Sequence, residues 1–226
     1  MKPISFNLFG VTFLEPNIFL SDFLLALACF YFGYALKKHQ TSADSPKNWH
    51  LFFYLMAYSS LIGAFGHLLS HYTGIFLKLI SWTLSLVAVF KIELLATEYL
   101  KKNTFSKILP ALVCLKTLAF GVAMWFFKDF FYLKIYSAIG LLGVVVSIFG
   151  YLYLKTHQKS YLYLVLSILS MVFTAIIHAL KPNLYPWFTY NDAGHYLLIV
   201  CFGLLFLAAK KHIANDLTQR YQASKP

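Results

Sequence analysis

Seven apolar stretches separated by short polar runs constrain this chain more than any other feature. They fall near 18–36, 50–70, 74–99, 106–127, 131–154, 161–180 and 192–209. Stretches of roughly 18–25 residues are what an α-helix needs to cross the hydrocarbon of a bilayer. A spanning backbone must also satisfy its own hydrogen bonds, which favours helices over open strands. The chain is therefore expected to be all-α: a polytopic membrane protein with one seven-helix bundle over residues 1–226, because no linker is long enough for a second domain. Only 12% of residues are charged, against about 25% in a soluble domain. The first stretch lacks a basic leader and a small-residue cleavage site, so it reads as a span and not as a signal peptide.

The net charge of +11 comes from 18 Lys and the single Arg220, mostly near span ends. That placement carries topology information and does not point to nucleic acid. The first, third and fifth loops and the C-terminal tail hold 12 of these residues; the N-terminus and the other loops hold 4. The positive-inside rule then places the N-terminus outside and the C-terminus inside. Short loops and a short tail suit a bacterial inner membrane. Cys29, Cys114 and Cys201 all lie within apolar runs and read as buried thiols, not as a disulfide framework.

That orientation brings several polar residues to the outer third of the bundle. Asp22 lies about one turn into the first span, His67 and His71 end the second, His178 ends the sixth, and Asn191, Asp192 and His195 open the seventh. Asn191, Asp192 and His195 share one helical face, as do His67 and His71, with Ser60 two turns below His67. Ionisable residues inside spans usually face the bundle interior or a wet cavity, so their convergence points to a shared site. Each also has a plain structural reading. Asp192 suits a helix cap, His178 can meet the carbonyls that end its helix, and His71 suits the wet interface.

The "SSLIGAFGH" segment ending at His67 and the "NDAGH" segment ending at His195 resemble motifs of the CREST superfamily of seven-helix membrane proteins. That group includes alkaline ceramidases and the progestin and adipoQ receptors. The resemblance implies a Ser-x-x-x-His on the second helix and a His-x-x-x-His on the seventh, holding a zinc ion that activates water for amide hydrolysis. Here Gly63 stands four before His67, and Asn191 takes the first position of the seventh-helix motif. A zinc site would draw on His67, His195 and either His178 or Asp192, three protein ligands plus water being the catalytic arrangement. Asp22 or Asp192 would serve as general base, with Ser60 nearby and Asn191 and His71 as binding residues.

Deeper in the bundle, Glu93 in the third span and Lys116 in the fourth are expected to pair, since an unpaired charge there is costly. The pair reads first as structural and second as a proton or ion relay. Three functions follow. The first is a CREST-like, zinc-dependent hydrolase of a lipid amide or ester, working from the outer side. The second is a non-enzymatic receptor or lipid-binding protein that uses the same pocket. The third is a transporter using Lys116 and Glu93. Membrane lipids are the expected partners in each. A retinal protein is disfavoured, because the seventh span has no lysine before Lys210.

Overall fold

The computed structural model describes residues 4–39, 48–100, 104–182 and 185–223. Among them, seven helices are long and apolar enough to cross a membrane: α1 (Pro16–His39), α2 (Trp49–Leu68), α4 (Phe76–Thr97), α5 (Thr104–Phe127), α6 (Phe131–Thr156), α7 (Lys159–Leu180) and the Tyr190–Asn215 part of α8. The full α8 runs Tyr190–Ala223, well past the expected end at 209. A short helix, α3 (Ser70–Thr73), joins α2 to α4. The chain is an all-α integral membrane protein preceded by one small hairpin. In that hairpin, β1 (Ser5–Leu8) pairs antiparallel with β2 (Val11–Leu14), a feature the apolar pattern did not signal. Of the basic residues counted for orientation, Lys2, Lys47, Lys101, Lys102 and Lys225 lie outside the described residues.

The helices close a ring in which α1 packs on α2 and α8, α2 on α4, α4 on α6, α6 on α7, and α7 on α8. Helix α5 rides outside that ring against α4 and α6. Its most apolar window is only 11% buried, against 50% for α4, so most of its side chains face lipid. The hairpin marks one end of the bundle, where α1 and α8 begin and α2 and α7 finish. The half away from the hairpin is an apolar core. There Phe32 meets Phe53 at 5.7 Å, Phe52 meets Phe202 at 5.5 Å and Trp49 stacks on Phe149 at 6.1 Å. Aromatic pairs at these separations contribute beyond the area they bury.

Two local departures bear on the site. Helix α2 stops at Leu68, and Leu69 (φ −104°, ψ 16°) bends the chain into α3. The face that His67 and His71 would share is broken between them. In α6, Ile139–Val146 is π-helical. Wide π turns are uncommon and often mark a place where a helix makes room for something. Here the turn brings Gly140 against the Glu93–Lys116 pair.

Candidate functional site

Asp22 is the centre of the polar cluster at the hairpin end. It lies on the face of α1 that carries Ser21, Leu25 and Cys29, all buried. Its carboxylate reaches α2 because Gly63 has no side chain: a Cβ there would sit 2.8 Å from Asp22 Oδ2 and 2.9 Å from Ser81 Oγ. Ser60, one turn along α2, hydrogen-bonds the carboxylate. His195 Nε2 on α8 is 3.6 Å from Asp22 Oδ1, and His67 on α2 lies within electrostatic reach of the same group. The structure thus brings together four expected site residues: Asp22, Ser60, His67 and His195.

Each imidazole is braced from behind. His67 Nδ1 is 2.7 Å from Glu15 Oε2, and Lys78 Nζ lies 3.8 Å from the same oxygen. His195 Nδ1 is 3.0 Å from Ser21 Oγ, and Ser21 donates to Asp192 Oδ1 at 3.0 Å. With Ser21 donating to Asp192, the proton of His195 lies on Nδ1 and points at Ser21. Nε2 and Asp22 Oδ1 are then two acceptors face to face, unless one of them carries a further proton. At 3.6 Å the contact is an ion pair only when His195 is protonated.

Asp192, expected as a helix cap or a general base, has hydrogen bonds on both carboxylate oxygens. Oδ2 accepts from the Thr189 N–H at 2.7 Å, Thr189 Oγ1 at 2.8 Å and Asn17 Nδ2 at 2.7 Å, while Oδ1 accepts from Ser21. Four donors fill a carboxylate's acceptor sites. The Thr189 bonds cap the start of α8, since Asp192 at the third helical position reaches back to the capping residue's N–H. The Asn17 and Ser21 bonds tie α8 to α1. Asn191 is half-buried on the same turn, and the amide that supports Asp192 is Asn17.

The remaining expected ligands do not join the group. His178 packs edge-on to Tyr190, with ring centroids 5.6 Å apart, and its Nε2 would be 2.7 Å from a Cβ on Gly194. It packs against Tyr190 and Gly194 at the start of α8, within electrostatic reach of His195. His71 is exposed on α3 against Tyr72, because the bend at Leu69 turns it away from His67. Among the described residues, no group of three His, Cys, Asp or Glu side chains is placed to hold a metal ion.

Glu93 and Lys116 form a second, separate cluster. Lys116 Nζ lies 2.5 Å from Glu93 Oε1, and the Tyr136 hydroxyl donates to Glu93 Oε2 at 3.0 Å. Lys116 also sits over the Tyr136 ring, 4.1 Å from its centroid, and Tyr136 Oη meets Thr117 Oγ1 at 2.9 Å. A Cβ on Gly140 would be 2.7 Å from Glu93 and 3.0 Å from Lys116 Nζ, so the π turn is fitted around the pair. Both carboxylate oxygens have donors, and Glu93 is fully buried. This is a packed lock between α4, α5 and α6.

A family profile matches residues 18–214, nearly the whole bundle. The chain belongs to DUF6962, a family of unknown function. No curated protein and no solved structure matches it. The DUF6962 match takes in Asp22, His67, Glu93, Lys116 and His195, and it begins after the hairpin and Glu15.

Sequence reasoning on this DUF6962 chain missed Glu15, Asn17, Ser21 and His212. The first three lie within a few residues of Asp22, and Asn17 and Ser21 share a helical face at i, i+4, a signal that was available. His212 follows Lys210 and Lys211, beyond the last apolar stretch. It is 3% exposed, with Nε2 2.7 Å from Tyr99 Oη and Nδ1 3.3 Å from Ser160 Oγ. The unbroken continuation of α8 carries it into the packed end of the bundle.

Glu15 lies just outside the first span. Burial works against its charge, but the hydrogen bond to His67 and the nearby Lys78 outweigh that and hold its carboxyl below the ordinary range. A lowered folded-state pKa gives stability that is present above the unfolded value, about 4.3, and lost as pH falls through the lowered value. Glu15→Gln should therefore reduce stability near neutral pH and flatten the acid side of a melting-temperature profile. Parallel profiles for the wild type and Glu15→Gln would refute the pairing.

Proposed function

We propose that this DUF6962 chain is a seven-helix protein of a bacterial inner membrane, with its hairpin end outside and the end of α8 inside. At the outer end it binds an amphiphile, a membrane lipid or lipid-like molecule, beside the Asp22–His67–His195 centre. The observation that carries this reading is Asp22 itself, a buried carboxylate 3.6 Å from His195 Nε2 and within electrostatic reach of His67. Asp192 is saturated, whereas Asp22 retains acceptor capacity and a titratable neighbour. A cleft of about 420 Å³ opens between the starts of α1 and α8. Phe19, Leu20, Trp187, Phe188 and Tyr196 form its walls; Asn17 and Asp192, bonded to each other, form its polar side, with Ser21 linking Asp192 to His195 behind it. An apolar wall with a few polar groups at one end suits an amphiphile. The bundle exposes Leu20 and Trp187 there, at 51% and 56%, where an acyl chain can enter from the membrane.

Lipid retained through purification tests the proposal. Extracts of the wild type should contain a defined lipid class near one per chain, Asp22→Asn should lose it, and His39→Ala should keep it. Equal lipid in all three would reject the site. The orientation has its own test, by reporter fusions at Gln222 and within the 181–190 loop. The 12-to-4 split of basic residues predicts an inside signal from the first and an outside signal from the second. An inside signal from the loop fusion would invert the assignment.

A second reading, hydrolysis of a lipid amide or ester in the CREST manner, draws on one further observation. Ser21 Oγ, His195 and Asp22 form a hydroxyl–imidazole–carboxylate series at 3.0 and 3.6 Å. Such a series activates a nucleophile in acyl transfer once Ser21 turns its proton from Asp192 to His195 Nδ1 and the His195 proton moves to Nε2, facing Asp22. Release of fatty acid by purified protein, lost in both Ser21→Ala and His195→Ala, would favour this reading over binding alone. Stoichiometric zinc that disappears in His195→Ala would favour the metal-dependent form.

A further inference from the structure

The β1–β2 hairpin carries an apolar face that the other described residues leave largely exposed. Strand side chains alternate between faces. The register pairs Phe6 with Phe13 and Leu8 with Val11 on one face, and Asn7 with Thr12 on the other. The Phe6 and Phe13 rings stack at 5.2 Å, and Thr12 Oγ1 donates to Asn7 Oδ1 at 2.7 Å. Phe6 remains 44% exposed, Leu8 49% and Val11 36%. The two-residue turn is Phe9–Gly10, both at positive φ (52° and 79°). That is the hairpin turn in which Asn, Asp and Gly are favoured. A phenylalanine in the left-handed region is strained, and this one is 96% exposed. Its ring does nothing for folding within this chain.

The position of the hairpin identifies what covers it. The Glu15 N–H donates to the Ile4 carbonyl at 2.8 Å, closing the hairpin, and Pro16 at once begins α1. Helix α1 has 24 residues, about 36 Å of rise, against about 30 Å of hydrocarbon. Its first turn therefore lies at headgroup depth, and the hairpin lies beside it. The Thr12 N–H donates to Tyr72 Oη at 2.8 Å, tying the strands to α3 at the same level. Tyr72 and Phe76 continue the exposed apolar surface at 56% and 57%. Aromatic rings collect at this depth in membrane proteins. A lone two-stranded hairpin is marginal in water, so this one needs a covered face.

We propose that the hairpin is an interfacial anchor, with Phe6, Leu8, Val11 and the tip residue Phe9 buried in the lipid leaflet at that end of the bundle. Nitroxide labels read this directly. Phe9→Cys, Leu8→Cys and Asn7→Cys are made separately in a chain with Cys29, Cys114 and Cys201 changed to Ala. They are labelled and reconstituted in phosphatidylcholine vesicles. Labels at Phe9 and Leu8 should collide more with oxygen than with a water-soluble nickel chelate, as a label at lipid-facing Leu118 does. The label at Asn7 should show the reverse. If the label at Phe9 matches Asn7, the hairpin stands in water and the proposal fails. If labels at Phe9 and Leu8 are immobile and shielded from both reagents, a protein surface covers the face, and the proposal also fails.

Discussion

Glu93→Ala is expected to lower the thermal midpoint of the detergent-purified protein by about 10 °C. Truncating one member of a buried ion pair costs about 3–5 kcal/mol, because the other charge stays behind in low dielectric, and each kcal/mol shifts the midpoint of a chain this size by about 2–4 °C. Lys116 would lose its only close carboxylate among the described residues, and Tyr136 would lose one of the two oxygens its hydroxyl meets. Gly140 makes the geometry unforgiving, since the π turn of α6 is fitted to the pair with no spare volume. The rescue is diagnostic. Glu93→Gln combined with Lys116→Met removes both charges and keeps both shapes, so it should recover most of the loss. A double variant no better than Glu93→Ala would mean that the stranded charge is not the cause.

Asp192→Ala should have an effect of similar size, about 3–5 kcal/mol, by a different route. It leaves the Thr189 N–H and hydroxyl and the Asn17 amide without this acceptor, while Ser21 keeps the Ile18 carbonyl at 3.1 Å, and hydrogen bonds to a charged group contribute about 1.5–3 kcal/mol each without adding fully. The start of α8 would fray, and its tie to α1 would be lost. Asp192→Asn should recover only part, because its amide nitrogen would face donors. Asn191→Ala, one residue away, should shift the midpoint by no more than a few degrees. Equal effects at Asn191 and Asp192 would contradict the hydrogen-bond assignment.

The bundle was legible in the sequence because bilayer thickness imposes a length that a hydropathy pattern displays directly. Depth was legible too: His67 and His195 were placed at one level, and the structure puts both around Asp22. Direction was not. The bend at Leu69 rotated His71 out of the group, and no residue type in "HLLSHYTG" announces it. Asp192 had two readings from the sequence, cap or site. The structure favours the cap because Asn17 and Ser21, on a helix far away in sequence, fill its free oxygen sites. The hairpin escaped notice because Phe9 stands where the turn favours Asn or Asp. Glu93 and Lys116 could be paired from cost alone, but Tyr136 and the π turn that close around them could not.

The proposed binding of an amphiphile at the hairpin end requires that His67 and His195 act as one unit through Asp22. The direct measurement is lipid retained per chain in His67→Ala, in His195→Ala and in the double variant. If both imidazoles serve one carboxylate, each single variant should lose most of the bound lipid, and the double should lose little more, because groups that act together are not additive. If each single variant loses a separate fraction and the two losses multiply in the double, or if His195→Ala retains lipid like the wild type, then Asp22 does not join them and the site does not exist.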